Sequence, residues 1–311
     1  MLNGKYILER FGFQAKEEPV SIYPFSPVYH IQGENTDFII KRTQNLQKYG
    51  NQVMHYIRVL REKGILVVTP VPLEVENPQL IDDVTYVVYP FIEGKKYSGT
   101  QEEIYEAGKL LGKIHALSPE KNAFDLEPYD VFDFDIEEVI ESMEQIKAHA
   151  ATNNLIIACG LLRQKFLEAV ARQAELQTHG LPSVATPYDF KANNLVYTPA
   201  PFLIDPDNAS WVPRIFDLAL VLLLFHNEMA TAPSRMFTAE EWQVFLDGYH
   251  VYVQLSEMEQ AIWPAVLEHV FLDEVMWLMA ESAEDWSDPS QQLLFLSLID
   301  FLKDTSKYNL D

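Results

Sequence analysis

The stretch from 184 to 219, V-A-T-P-Y-D-F-K-A-N-N-L-V-Y-T-P-A-P-F-L-I-D-P-D-N-A-S-W-V-P-R-I-F-D-L-A, narrows the choice of fold more than any other part of the chain. It reads as two short apolar strands, Asn194 to Tyr197 and Phe202 to Ile204, joined by a proline-containing turn. Acids or amides stand at the strand ends. Asp189 and Asn194 lead into the first strand, Asp205 closes the second, and Asp207 and Asn208 come next. A hairpin of this kind gathers Asp189, Asn194 and Asp205. Two carboxylates and an amide oxygen are hard donors suited to Mg²⁺, which keeps waters and accepts phosphate oxygens as further ligands.

The surroundings of this hairpin divide in two. Strands are expected at Val20 to Tyr23, Val28 to Gln32, Asp37 to Arg42 and Thr85 to Phe91, with the turn G-E-N-T at Gly33 to Thr36. One helix, from about Gln47 to Lys63, ends at Gly64 in the position of a helix C-terminal glycine. Residues 72 to 83 read as a loop or hairpin arm, and G-K-K-Y-S-G at Gly94 to Gly99 as a linker. Helical patterns dominate from Thr100 onward. Thr100 with Glu103, Thr238 with Glu241 and Ser256 with Glu259 have capping-box spacing. Helices are expected at 136 to 150, 155 to 178, 216 to 227, 239 to 252, 257 to 283 and 289 to 303. The chain therefore divides into residues 1–93, a small lobe rich in strands, and residues 94–311, a larger helical lobe that contains the hairpin. A cleft between two lobes is a common place for a small-molecule site.

The motif resembles that of the aminoglycoside phosphotransferase and choline kinase family, the small-molecule branch of the protein-kinase-like fold. In that family an Asp is followed five positions later by an Asn, as Asp189 is by Asn194. The resemblance implies that Asp189 orients the substrate hydroxyl and accepts its proton, and that Asn194 binds Mg²⁺. Lys191 would touch the transferring phosphoryl group. Asp205, at the end of F-L-I-D, would be the second metal ligand. Asp217 in D-L-A would hold the catalytic loop, and Lys41 in D-F-I-I-K-R would reach the nucleotide phosphates. Tyr89 and Phe91 would belong to the hinge whose backbone meets adenine. The implied fold is α+β, a protein-kinase-like two-lobe fold with a small β-rich N-lobe and a large, mainly helical C-lobe. The implied activity is ATP- and Mg²⁺-dependent phosphorylation of a hydroxyl on a small molecule.

This chain is a divergent member by its motifs. Pro187 stands where the family usually has His. The nucleotide-covering stretch Tyr23 to Tyr29, Y-P-F-S-P-V-Y, has no glycine. Residues 44 to 61 hold no acid that could pair with Lys41. A non-catalytic pseudokinase that binds nucleotide or a partner is accordingly the rival reading, and a kinase for choline, homoserine or a sugar is the rival within the enzyme class.

Charge bears on the acceptor. The chain has 23 basic against 46 acidic residues, a formal net charge of −23. That balance disfavours nucleic acid and anionic membrane surfaces and would attract an amine-bearing acceptor, although it equally serves solubility. Glu268, His269, Asp273, Glu274, Trp277 and Glu281 form an acidic, aromatic stretch in the region where the family builds its acceptor pocket. The plainer expectation is that Trp277 is core and the acids are solvated. His115 reads as a packed core histidine. The lone Cys159 excludes an internal disulfide, the N-terminal residues lack a signal-peptide pattern, and a cytoplasmic protein is expected. The oligomeric state is left open by the sequence.

Overall fold

The sheet of the small lobe follows from one run of residues, V-T-Y-V-V-Y-P. It forms strand β4 (Val84–Pro90), in a computed structural model that describes residues 3–23, 26–33, 36–43 and 46–310, with backbone alone for 46–49. Four antiparallel strands, β1 (Val28–Ile31), β2 (Phe38–Thr43), β3 (Gln79–Ile81) and β4, lie in the order β1-β2-β4-β3. Alternation assigns the two faces of β4 to different cores. Tyr86 and Val88 join Ile40, Tyr29, Ile81 and the residues Ile7, Leu8 and Phe11 of helix α1 (Gly4–Arg10) and its cap in a small core. Val87 and Tyr89 face the main core with Val53, Met54, Tyr56, Ile57 and Leu60 of helix α2 (Leu46–Glu62). A strand buried on both faces needs apolar residues at every position, hence the unbroken run. Lys41 sits opposite Val87 in the register, so the pleat points it away from the small core that takes its neighbour Ile40.

Helix α2 stops where expected. Gly64 has φ +79, and Ile65 N–H reaches back to Leu60 O at 3.0 Å. The strand expected at Val20 to Tyr23 does not form. Ser21 Oγ instead takes Val28 N–H at 3.0 Å and donates to Tyr23 O at 2.7 Å, which turns the chain and leaves Val20 and Ile22 exposed. Gly94 to Gly99 is not a free linker either. Lys95 and Tyr197 exchange two backbone hydrogen bonds of 2.9 Å, and a Cβ on Gly94 would lie 2.5 Å from Val196 Cγ1. Only glycine permits that approach, and it docks the crossing onto the hairpin.

The helical lobe contains α3 (Gln101–Leu117), α4 (Ile136–Thr152) and α5 (Cys159–Gln177). Two two-stranded sheets come after them. Strand β5 (Ser183–Thr186) pairs with β8 (Ser210–Pro213), and β6 (Leu195–Tyr197) with β7 (Pro201–Leu203). The β6–β7 hairpin is the one read from the sequence; the outer pair is not, because its strands are too short to show a period. Helices α6 (Arg214–Leu224), α7 (Ala239–Tyr249), α8 (Glu257–Val270), α9 (Met276–Glu281) and α10 (Pro289–Phe301) complete the lobe. All three capping boxes form as their spacing requires. From Ile215 to Leu224 every residue of α6 is buried, which explains a sequence that is apolar at every position but Asp217. The single helix expected over 257–283 is interrupted by a π-turn at Phe271–Val275.

Candidate active site

The nested sheets bring two loops to one place. Residues 187–194 connect β5 to β6, residues 204–209 connect β7 to β8, and Ile204 N–H donates to Asn194 O at 2.9 Å. The root of the first loop is held from below. Asp217 Oδ2 accepts from Thr186 Oγ1 at 2.7 Å and lies 2.9 Å from His115 Nε2, while His115 Nδ1 meets Tyr249 OH at 2.9 Å. All of these groups are buried. His115 is thus a core histidine that braces Asp217, and the loop is anchored although Pro187 occupies the position of the usual His. Above the anchor, Tyr188 and Asp189 both have φ near +49. Two successive side-chain-bearing residues in the left-handed region are strained, and such strain persists where the surroundings over-determine it.

Asp189 sits in a chain of charge. Lys191 Nζ lies 3.1 Å from Asp189 Oδ2 and 3.0 Å from Glu228 Oε2. Burial raises the Asp189 carboxyl and Lys191 opposes it, so that its pKa is pushed up to about 6. Lys191 is drawn upward because Asp189 and Glu228 together outweigh its own burial. Asn194 Nδ2 donates to Asp189 O at 2.9 Å, which uses the amide nitrogen and leaves the side-chain oxygen for another partner.

The second cluster joins the lobes. Lys41 Nζ is 2.5 Å from Asp205 Oδ1 and 2.9 Å from Asp207 Oδ2. Tyr89 OH donates to Asp207 Oδ1 at 2.6 Å. Burial works against the Lys41 charge, but Asp207 and then Asp205 outweigh it and raise its pKa. Asp207 therefore supplies the counter-charge that helix α2 lacks. The sequence contained this signal in the spacing of I-D-P-D, but only the crossing of the two lobes puts it beside Lys41. Tyr89 meets this cluster through its hydroxyl. Phe91 N–H is already given to Asp37 O at 2.8 Å and its ring packs on His30 at 4.5 Å. Of the nucleotide-covering stretch, Pro24 and Phe25 lie outside the described residues; Tyr23 OH reaches Glu228 Oε2 at 3.3 Å.

A metal brought with a nucleotide fits this donor set. Asn194 keeps an amide oxygen, and Asp205 comes directly after the residue hydrogen-bonded to it. Among the described residues no group of three or more His, Cys, Asp or Glu could hold a metal alone. One carboxylate and one amide oxygen match Mg²⁺ that takes its remaining ligands from phosphate and water.

On the far side of Asp189 lies a cluster of a different kind. Tyr188 OH donates to Glu274 Oε1 at 2.8 Å, and Tyr129 OH lies 3.1 Å from Asp273 Oδ1 and 3.3 Å from Glu274 Oε1. The two tyrosine rings are 4.7 Å apart. Asp273 is 8% exposed, and its Oδ2 is a buried atom without a hydrogen-bond partner. This reverses the expectation for the stretch: the two acids are the inward residues and Trp277 is 57% exposed. The π-turn is the reason for the second. Its extra residue rotates helix α9 by roughly 100°, which swings Trp277 out of the phase set by α8.

The sequence profile of the phosphotransferase enzyme family matches residues 25–256. Several solved structures share the fold at low identity. A microcompartment-associated aminopropanol kinase superposes with a TM-score of 0.68 at 13% identity, covering 99% of this chain and 98% of its own. Spectinomycin phosphotransferase gives 0.60 at 15%, with coverages of 98% and 97%. A choline kinase from Streptococcus pneumoniae gives 0.56 at 17%, with coverages of 96% and 98%. No curated protein matches the chain.

Proposed function

This chain belongs to the phosphotransferase enzyme family, and from that premise we propose that it transfers the γ-phosphoryl group of ATP to a hydroxyl of a small cationic molecule. The observation that carries the reading is the meeting of three pairings around two adjoining loops: Asp189 with Lys191, Asn194 beside Asp205, and Lys41 crossing from β2 to Asp205 and Asp207. Phosphoryl transfer asks for positioning and charge neutralisation rather than covalent chemistry by the protein.

In this reading Asp189 receives the acceptor hydroxyl, orients it and takes its proton. The hydroxyl oxygen bonds to the γ-phosphorus, the bond to the β,γ-bridging oxygen breaks, and ADP leaves with that electron pair. A carboxyl whose pKa is near 6 is ionised at neutral pH yet basic enough for this role. Lys191 neutralises charge at the transferring group, and Lys41 exchanges its carboxylate partners for nucleotide phosphates. Mg²⁺, when bound by Asn194 and Asp205 together with phosphate oxygens, would supply further neutralisation of the phosphate charge. The cation preference is supported by the buried acids behind Tyr188. The relatives named for aminopropanol, spectinomycin and choline agree with a small-molecule acceptor.

The non-catalytic reading rests on absent motif residues. Two of these absences have a physical substitute: Asp207 for the helix acid, and the His115–Asp217–Thr186 anchor for the missing His. The test is an acceptor panel with ADP detection, containing amino alcohols, choline, homoserine, sugars and aminocyclitols, with ATP and Mg²⁺. A thermal-shift scan runs beside it. Stabilisation by ATP and Mg²⁺ with acceptor-dependent ADP release is expected. Stabilisation with no turnover on any acceptor would favour the pseudokinase.

A further inference from the structure

Burying two adjacent carboxylates without a cation is unfavourable, and chains normally avoid it by pairing or metal coordination. Asp273 and Glu274 stand in that situation. Among the described residues neither makes an ion pair, whereas Glu268, a few residues earlier, is bound by both Lys165 and Arg172. The two tyrosine hydroxyls give the pair at most two O–H donors for four carboxylate oxygens. Asp273 Oδ2 receives none. Burial and then the Glu274 charge push the Asp273 carboxyl up to about 8. Asp133 and Glu138 add to the same negative field, and Lys191 only weakly offsets it at Glu274. The pair lies in a π-turn, a distortion often found at functional sites. It is tied through Tyr188 to the residue next to Asp189.

We infer that Asp273 and Glu274, framed by Tyr129 and Tyr188, form a subsite for an ammonium group that carries N–H, so that a primary or secondary amine fits and a quaternary one does not. Two features decide between these classes. The orphaned Asp273 Oδ2, once an ammonium ion draws the carboxyl into its ionised form, accepts an N–H, which a trimethylammonium group cannot offer. A quaternary cation is best met by aromatic faces set around it. Here the two rings are 4.7 Å apart, in contact with each other, and no cation can sit between them. The occupant is a hydroxyl-bearing small molecule with such an amine. For its hydroxyl end the inference rests on the phosphotransferase reading; for its amine end it stands on the carboxylate geometry alone.

The test is calorimetric titration of the full chain without nucleotide, in an amine-free buffer at fixed ionic strength. The probes are 2-aminoethanol against choline, and methylammonium against tetramethylammonium. Each N–H-bearing probe is expected to bind about tenfold tighter than its methylated counterpart, since a site built around a hydrogen bond rejects the analogue that lacks it. Asp273→Asn is expected to remove that preference, and Glu274→Gln, a second isosteric change, to weaken the N–H-bearing probes as well. Melting followed by circular dichroism checks that both variants are folded, and the comparison of probes on the unmodified chain needs no variant. Choline or tetramethylammonium binding as tightly as its partner overturns the inference. So does unchanged preference in Asp273→Asn, and so does a failure of every probe to bind. No transfer is measured, so failure here leaves the phosphotransferase reading intact. Conversely, amine binding with no ADP release on any acceptor would sink that reading and leave the subsite standing.

Discussion

The two sides of Asp189 handle charge in opposite ways. In the proposed reading one side takes the phosphates and the other the acceptor. On the phosphate side, two lysines are clamped by four carboxylates: Lys41 by Asp205 and Asp207, Lys191 by Asp189 and Glu228. On the acceptor side, Asp273 and Glu274 have tyrosine hydroxyls and no cation among the described residues. The first cluster holds its cations ready by pairing them with groups that a polyanion can displace. The second is incomplete without a positive ligand. In the proposed reading the same electrostatics thus favour opposite ligands on either side of one loop, and Tyr188–Asp189 is the join between them.

The largest effect expected from breaking this arrangement is at the join. Asp189→Asn keeps the shape, removes the base and is expected to lower kcat by about 10³. An initial-rate assay on the best acceptor checks it, and a variant within a few-fold of the parent would remove Asp189 from the base role. Asp207→Ala tests the phosphate side. It takes one counter-charge from the buried Lys41 and the acceptor from the buried Tyr89 hydroxyl. A stability loss of about 2–4 kcal/mol is expected by denaturant titration, with kcat/KM also reduced. No change in either would mean that Asp205 alone suffices for Lys41.

The smaller effects are in pH, and they separate the two sides by sign and by window. Catalysis needs Asp189 ionised, so kcat/KM is expected to rise up to about tenfold per unit below a pKa of about 6 and then level. Stability runs the other way. Asp273, held at about 8 in the folded chain against an ordinary value of 3.8, keeps a proton that the unfolded chain has released. Folding stability therefore falls as pH rises between those values, and Asp189 adds to the fall up to about 6. Melting temperatures measured from pH 6.5 to 8.5 are expected to decline in the parent and to decline less in Asp273→Asn. Glu241, Glu259 and Glu268, whose pKa values are lowered by their partners, act at more acid pH, while His226 and His269, lowered by burial, add stability as pH rises towards their ordinary 6.5, so the Asp273 decline is read above that. A parallel decline in the variant would mean that the acceptor-side acids share their proton differently from the geometry described.

The local chemistry of the site was legible in one dimension because its determinants are close in sequence. Asp189, Asn194 and Asp205 fall on one hairpin and its flanks, so strand period and turn residues suffice to gather them. Lys41 was legible too, through the match of D-F-I-I-K-R to the strand lysine of the family. The unread parts all depend on contacts between distant elements. Asp207 is an ordinary loop acid until Lys41, 166 positions earlier, crosses to it. The bond from Tyr89 to Asp207 was not legible because strand reading assigns a face and not a partner. Asp273 and Glu274 looked solvated because charged residues are exposed by default, although the phase of Trp263, Val266 and Val270 already carries them inward; the π-turn, which no propensity announces, displaced only Trp277.

By itself, then, the sequence determined most of the strand and helix inventory, the capped helix starts and the family, and it gathered Asp189, Asn194 and Asp205 on one hairpin and its flanks, since each depends on local spacing. Only the tertiary structure decided which lysine meets which acid, what replaces the missing motif residues, and that a pair of carboxylates is buried uncompensated behind the catalytic loop. Burial and counter-charge are properties of what surrounds a side chain, and here those surroundings come from segments more than a hundred residues apart.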